Sequence, residues 1–229
     1  AYSCHVSAIC APGDTSSLST PTFFTTACAP TLAPINENFD SGFSPCWSQD
    51  IINDDFDWEL EDGGTPSNGT GPDDDVSIGG NYMYTEASAP RQDGDFAIMY
   101  SEEIDLSTLT NPEIRFYTHM YGSAIGELQV DVFDNGSYTT IFNKIGEQVD
   151  AWVEEVILIN PTSTIVHFRI TGILGVNANG DTWPGDIAID EFSVVEAIAN
   201  DIEVSNTIMM SNCTFSNLSL IHISEPTRP

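Results

Sequence analysis

The most constraining feature of this sequence is a series of short segments in which apolar and polar residues alternate. The segments are NYMYTEAS, EIRFYTHMYG, GELQVDVF, TIVHFRITGI and DIAIDEFSV, with Gly, Pro, Asn and Asp between them. In GELQVDVF, Leu128, Val130 and Val132 point to one side and the intervening residues to the other. A period of two is typical of half-buried strands, and no stretch of helical length shows a period of about 3.6 residues. The pattern predicts an all-β protein.

The turns between these segments refine the prediction. Asn135-Gly136 follows VDVFD and precedes SYTTIF, and Asn-Gly is a strong signal for a two-residue hairpin. Many short strands joined in this way favour an antiparallel jelly-roll β-sandwich. Hydrophobic residues make up 41% of the 229 residues, which suffices for one sandwich core with irregular amino- and carboxy-terminal extensions.

The charge balance excludes some partners. The chain has 35 Asp and Glu residues against 5 Lys and Arg, for a formal net charge of −30. Such a surface repels nucleic-acid phosphates and anionic lipid, so neither is an expected partner. It attracts divalent cations and basic surfaces. The charge is equally explained by solubility in salty surroundings, and the two explanations are compatible.

Composition divides the chain into four predicted parts. Residues 1–37, rich in Cys, Ser, Thr and Pro, are interpreted as a linker or the tail of a preceding module, and 38–196 as the sandwich. Residues 197–217 are interpreted as a linker and the start of a truncated module, and 218–229 as an artefactual tail. Within that tail, Leu218–Arg228 (LSLIHISEPTR) resembles a translated sequencing adapter.

No apolar run is long enough to span a bilayer, and residues near position 1 lack the pattern of a signal peptide. We therefore expect a mature protein or, in preference, a fragment of a longer one. The five cysteines do not by themselves prove an oxidising compartment, and their odd number leaves one thiol without a partner in this chain.

Seven motifs, taken in order, resemble the MAM domain, which is named for meprin, the A5 antigen and receptor phosphatase mu. They are FDSGFSPCW at 39–47, DDFDW at 54–58, TPSNGTGPDDD at 65–75, YMYTEAS at 82–88, FYTHMYG at 116–122, Trp152 after a Gly146 turn, and GDIAIDEFSV at 185–194. The resemblance covers about residues 38–196. It implies a concanavalin-like jelly roll in a secreted or cell-surface multidomain protein.

The resemblance also implies a role. MAM domains serve adhesion, oligomerisation or partner binding, so we expect a recognition module and not an enzyme. Its partner is expected to be a protein or a glycan on a cell surface or in the extracellular matrix. The parent protein could itself be a peptidase or an adhesin.

The cysteines depart from the family pattern. Family members place a second cysteine just before the strand that matches IRFYTHMYG, to pair with the one before Trp47. Here that place reads Pro112-Glu113, so Cys46 lacks its customary partner. Two alternatives stay open: Cys46 pairs with Cys28, or it stays free.

Several aspartates are candidate ligands for a structural Ca²⁺, which takes multiple oxygen donors. By resemblance to jelly rolls that hold a metal between the first strand, an acidic loop and the last strand, the candidates are Asp40, Asp75 and Asp190. Asp57 and Glu86 are weaker candidates. The alternative is that these residues form turns. That alternative is weakest for Asp190, because an aspartate within an apolar strand needs a partner.

Two alternative functions remain. A carbohydrate-binding module would need exposed aromatic side chains. Trp183, in a predicted loop, is the tentative ligand-binding residue, and Tyr138 is a second candidate. A glycoside hydrolase would need two carboxylates facing one cleft. In DIAIDEF, Asp186, Ala188 and Asp190 share a face, but no Glu-x-Asp-x-Glu pattern occurs. We expect Trp47, Trp58 and Trp152 to pack in the core and His119 to be structural.

Overall fold

The computed structural model describes residues 28–198 continuously, together with 2–4, 7, 9–11, 14–20 and 22–24. From residue 199 onward, the segments predicted as a truncated module and an artefactual tail lie outside the described residues. Four short strands precede residue 28 and pair as β1 with β4 and β2 with β3. They are β1 (Tyr2–Cys4), β2 (Ile9–Ala11), β3 (Asp14–Thr15) and β4 (Thr22–Phe24).

Thirteen further strands build the body of the protein. They are β5 (Thr31–Leu32), β6 (Ile35–Glu37), β7 (Ser48–Gln49), β8 (Glu59–Glu61), β9 (Tyr82–Tyr84), β10 (Phe96–Tyr100), β11 (Ile104–Asp105), β12 (Pro112–His119), β13 (Glu127–Asp134), β14 (Ser137–Ile145), β15 (Val153–Leu158), β16 (Ile165–Ile173) and β17 (Ala188–Glu196). Within the described part of the chain there is no helix, and hence none that could cross a membrane.

The thirteen strands form two sheets. The front sheet has the order β14-β13-β16-β10-β7, with β11 joining β16 to β5. The back sheet has the order β15-β12-β17-β9-β8, with β6 on β17. Only β5 and β11 pair in parallel; the other pairings in these two sheets are antiparallel. The predicted jelly-roll β-sandwich is confirmed. Because β5 and β6 belong to it, the sandwich begins before the expected boundary at residue 38.

The local predictions for β13 and its hairpin are confirmed. Leu128, Val130 and Val132 are buried in the main core. Asn135 and Gly136 have φ angles of 49° and 87°, which suit a two-residue turn of the kind that matches strand twist. The strands pair directly across this turn.

An aromatic cluster joins the two sheets. Phe192 of β17 packs against Trp47 at 5.5 Å, Phe168 of β16 at 5.3 Å and Phe116 of β12 at 5.9 Å between ring centroids. Phe39 extends the cluster through Trp47 at 5.4 Å. Each of these side chains is at most 3% exposed, so burial of large rings dominates the cohesion of the sandwich.

The predicted core role holds for two of the three tryptophans and differs for the third. Trp47 and Trp58 are buried in the main core, 3% and 2% exposed. Trp152 is only partly buried and packs on a separate cluster of Tyr82, Tyr84 and Ala188. This second cluster lies on the outer face of the back sheet, because Ala188 alternates with Ile187 and Ile189 of the main core.

Cys46 is bridged to Cys28, with their Cα atoms 5.6 Å apart. Of the two alternatives left open by the sequence, pairing with Cys28 is therefore the one adopted. The bridge ties the segment before β5 to the loop that carries Trp47.

Candidate functional site

The strand β17 carries a bulge that positions its aspartate. In its pairing with β12 the register shifts between Arg115 and Tyr117, and Glu191 takes a φ of 51°. The extra residue lets Ile189 and Phe192 both face the main core. Asp190 is left on the outer side of the sheet with Ala188, because bulges re-aim the side chains next to them.

Asp190 is held by the loop that follows Asp75. Its carboxylate accepts hydrogen bonds from the amides of Val76, at 3.2 Å, and Glu191, at 2.7 Å, and the residue is 1% exposed. Burial raises the pKa of the Asp190 carboxyl to about 7 against these hydrogen bonds, and the negative charges of Glu191 and Asp75 raise it further. A positive charge placed here would favour its ionised form.

Asp75 is buried with one oxygen satisfied and one without a partner. Oδ2 accepts hydrogen bonds from the amide and hydroxyl of Ser77 at 3.2 and 2.6 Å, whereas Oδ1 has no hydrogen-bond partner. Burial alone would raise the pKa of Asp75, but the hydrogen bonds from Ser77, helped by the nearby backbone amides of Gly80 and Ile78, outweigh it and lower that pKa. The result is a charged carboxylate, 4% exposed, with an unsatisfied oxygen.

Asp40 approaches the same loop from the turn after β6. Its Oδ1 accepts a hydrogen bond from the Asn81 amide at 3.0 Å, and its backbone oxygen accepts one from the Asn81 side chain at 3.0 Å. A Cβ on Gly80 would overlap both Oδ1 of Asp40 and Oδ2 of Asp75. The two carboxylates therefore meet across a glycine that leaves room for them, and Asp40 is the exposed member of the set.

Backbone strain is concentrated around these three aspartates. Among the described residues, four non-glycine residues have a positive φ, and three of them lie here. Phe39 (φ 55°) precedes the first aspartate, Ile78 (φ 69°) lies in the loop after the second, and Glu191 (φ 51°) follows the third. Each such conformation costs about 1–3 kcal/mol, and such residues cluster at functional sites.

The chemistry of this cluster fits a hard cation. Carboxylates that converge, one of them with a buried unsatisfied oxygen, are donors suited to Ca²⁺. Among the residues that the structure describes, no three His, Cys, Asp or Glu side chains are close enough to hold a metal by themselves. An ion here would therefore need backbone carbonyls or water to complete its shell.

The two weaker metal candidates lie elsewhere. Asp57 is exposed and its charge acts on Asp54, which is not part of the cluster. Glu86 accepts a hydrogen bond from the Ser88 amide at 2.7 Å, and its charge acts on Asp186. The structure thus brings Asp40, Asp75 and Asp190 to one loop and leaves Asp57 and Glu86 outside it.

The carboxylates predicted to share a face on DIAIDEF are both buried. Asp186 is 0% exposed; its Oδ1 accepts a hydrogen bond from the Ala87 amide at 3.1 Å, and its Oδ2 has no partner. Asp190 is 1% exposed. A glycosidase needs both carboxyl groups open to the cleft that holds substrate and water, so two fully buried carboxyl groups do not form such a pair.

The candidate ligand-binding aromatics differ in their availability. Trp183 lies in a loop and is 43% exposed. The ring of Tyr138 is covered by the guanidinium of Arg169 at 4.2 Å and by Phe133 at 4.9 Å, and its hydroxyl hydrogen-bonds to His167. Only Trp183 of the two offers a free ring face.

His119 behaves as a structural residue. It is 2% exposed, its Nε2 lies 3.4 Å from Asp150, and its ring packs against Trp152. Burial lowers the pKa of this imidazole, although the Asp150 carboxylate acts in the opposite direction.

Comparison with known proteins identifies the family of this domain. The family model for the MAM domain (meprin/A5/mu) matches residues 38–197, which is more than half of the chain. The chain belongs to the MAM domain family. The match includes all three clustered aspartates.

Several curated proteins resemble this MAM domain. The human MAM domain-containing glycosylphosphatidylinositol anchor protein 2 is 30% identical over 224 residues, covering 87% of this chain and 23% of that protein. The zebrafish protein Neuropilin-1a is 24% identical over 188 residues, covering 76% of this chain and 17% of that protein. The chain thus spans less than a quarter of the length of these relatives.

Solved structures also resemble this MAM domain. The K1 cleaved adhesin domain of Lys-gingipain from Porphyromonas gingivalis W83 aligns with a TM-score of 0.48 at 14% identity, covering 72% of this chain and 99% of that one. TmCBM61 in complex with β-1,4-galactotriose aligns with a TM-score of 0.46 at 15% identity, covering 70% and 94%. Both scores are low, and the jelly-roll assignment rests on the strand pairing itself.

Sequence reasoning missed three contributors to the MAM site. Ser77 donates two hydrogen bonds to Asp75, and Gly80 provides the space in which two carboxylates meet. The bulge residue Glu191 sets the direction of Asp190. The sequence DDDVSIGG offers a signal only for the glycine, since paired glycines after an acidic run are typical of a tight loop.

Proposed function

We propose that this MAM domain is an extracellular recognition and adhesion module, stabilised by a structural calcium ion, within a larger secreted or cell-surface protein. Family membership supports the recognition role. Six relatives, including the human protein 2 and the chicken protein 1, carry glycosylphosphatidylinositol anchor in their names, which supports a position at the outer cell surface. The module would hold a protein or glycan partner close to whatever the parent protein does, whether that parent is a peptidase or an adhesin.

The observation that carries the calcium proposal is the unsatisfied Oδ1 of Asp75, buried beside the other two aspartates. Asp75 and Asp40, which meet at Gly80, would bind the ion, with backbone carbonyls or water completing its shell and Asp190 contributing charge from the buried side. A bound ion supplies positive charge that offsets three nearby carboxylates and the strain of the backbone around them. Because Asp40 follows β6 and Asp190 lies in β17, the site links an early strand to the last one.

The acidic surface supports a recognition role in which the partner is not a nucleic acid. The full chain has a net charge of −30, which repels phosphate backbones and disfavours binding to anionic lipid. Calcium would then have a second effect, since neutralising part of the acidic surface lowers the repulsion between like-charged modules on apposed surfaces.

Adhesion can be tested on beads coated with the full chain and mixed with beads that display extracellular matrix or cell-surface proteins and glycans. We expect binding in millimolar calcium and its loss in excess chelator. Asp75→Asn should not bind at any calcium concentration. Asp57→Asn, outside the cluster, should bind in calcium as the unmodified chain does. Binding that is unaffected by both chelator and Asp75→Asn would refute the calcium part of the proposal, and no binding to any surface would refute the adhesion part.

A further inference from the structure

Two loops of the domain border an open groove that is not lined by Asp40, Asp75 or Asp190. Residues 89–93 form one wall and residues 176–183 the other, around a volume of about 330 Å³. Trp183 lines this groove with 43% of its surface exposed, and Val176 beside it is 39% exposed. Neither the indole nitrogen nor the ring of Trp183 has a hydrogen bond or ring contact with another described residue.

The walls of the groove are held in place by their own hydrogen bonds. The hydroxyl of Thr182 donates to the carbonyl of Ala87 at 2.6 Å, just before the first wall, and lies 3.4 Å from the carbonyl of Arg91 in that wall. The amide of Asp181 donates to the Asn177 side chain at 3.0 Å, and the amide of Gln92 donates to Asp95 at 2.8 Å. A groove built in advance binds a ligand without first having to order its loops.

Arg91 supplies the groove with a cation. Its guanidinium lies 4.3 Å from the centre of the Phe56 ring, within the range of a cation–π contact. Within the part of the chain that the structure describes, no carboxylate lies within ion-pairing distance of Arg91. In a chain with 5 basic and 35 acidic residues, a cation without an acidic partner keeps its donors free for a ligand.

The chemistry of the groove selects among ligand classes. An exposed indole face beside donors from Arg91, a carboxamide from Gln92 and acceptors from Asp93 and Asp181 complements a ring with one apolar face and several hydroxyls. The net charge of −30 disfavours sulfated or uronate-rich polymers. A basic peptide side chain over Trp183 would be repelled by Arg91 but attracted by Asp93 and Asp181, so a basic peptide is the competing ligand in the test.

We propose that this groove is a saccharide-binding site, in which a neutral sugar ring stacks on Trp183 and its hydroxyls bond to Arg91, Gln92 and the two aspartates. The proposal rests on the recognition role proposed above and specifies the class of one partner. Specificity among sugars comes from the side chains that reach the hydroxyls, because the indole accepts any ring with an apolar face.

The test titrates the full chain with a panel of neutral oligosaccharides (gluco-, galacto-, manno- and xylo-configured), following tryptophan fluorescence and calorimetry. A heparin oligosaccharide and a Lys-rich peptide serve as anionic and basic probes. We expect a neutral oligosaccharide to bind. Trp183→Ala should raise the Kd for that oligosaccharide by about tenfold or more, and Trp183→Phe should raise it by less. Leu158→Ala, which removes a 69% exposed side chain on β15, should leave the Kd unchanged.

The proposal would be overturned if no neutral oligosaccharide bound, or if Trp183→Ala bound one with the same Kd as the unmodified chain. Binding of the Lys-rich peptide alone, lost in Trp183→Ala, would overturn it in favour of a peptide site. Circular dichroism and the melting temperature of each variant show that the loss is not one of folding. If the beads still adhere in calcium but no saccharide binds, the saccharide proposal is wrong and the proposed adhesion role stands.

Discussion

Asp40 and Asp75 bring one carboxylate oxygen each to the same α-carbon, that of Gly80, where a Cβ would overlap both. We therefore expect Gly80→Ala to push the two carboxylates apart and to lower the melting temperature in calcium by several degrees. Gly63→Ala is the matched control, because a Cβ there meets no atom within 4 Å and its φ is not positive. Equal melting temperatures for the two variants in calcium would contradict a functional contact across Gly80.

Removal of the metal provides the second prediction. A ligand that binds only the folded state at about a hundred times its Kd adds about 2.7 kcal/mol of stability. Excess chelator should therefore lower the melting temperature of the unmodified chain by several degrees, as judged by thermal unfolding. Asp75→Asn should melt at the same temperature with and without chelator, whereas Asp57→Asn and Glu86→Gln should keep the response of the unmodified chain. A chelator without effect on the unmodified chain would show that no structural metal is bound.

The third prediction concerns Asp186 and pH. Burial raises the pKa of its carboxyl to about 7 from an ordinary value of 3.8, although the hydrogen bond from the Ala87 amide opposes this, and the charges of Glu86 and Glu59 raise it further. Between these two values the folded state holds a proton that the unfolded state has lost. The contribution of Asp186 to stability is therefore greatest below about pH 4, falls as the pH rises to about 7, and is constant above.

Asp186→Asn should remove this slope. Relative to the unmodified chain, we expect the variant to gain on the order of 1–3 kcal/mol in free energy of unfolding between pH 5 and pH 8, measured with urea. Asp186→Ala should remove the same slope but be less stable at every pH, because the Ala87 amide loses its acceptor. Parallel curves for Asp186→Asn and the unmodified chain would contradict the shifted pKa.

The sandwich could be predicted from the sequence because strand alternation is a local property. Leu128, Val130 and Val132 lie where the period of two places them. The site could be predicted only in part, because its geometry depends on long-range contacts. The Val76 amide that bonds to Asp190 is 114 residues away along the chain, and the bulge at Glu191 exists only in relation to β12. Nothing in the sequence indicated that Arg91 lies in a groove, because the ring it contacts, Phe56, is distant along the chain.

The pairing of Arg169 with Asp131 supports the fourth prediction. Two guanidinium nitrogens of Arg169 donate to Oδ2 of Asp131 at 2.9 and 2.8 Å, and that aspartate is 1% exposed. Arg169→Met keeps the apolar stem but leaves the carboxylate with only the donors of Thr140 and Gln129. We expect a loss of about 2–3 kcal/mol in urea unfolding, since a buried charge without its partner is costly. Arg91→Met breaks no ion pair among the described residues and should lose about 1 kcal/mol or less. Equal losses would mean that the ion pair with Asp131 contributes no more to stability than the contact of Arg91 with Phe56.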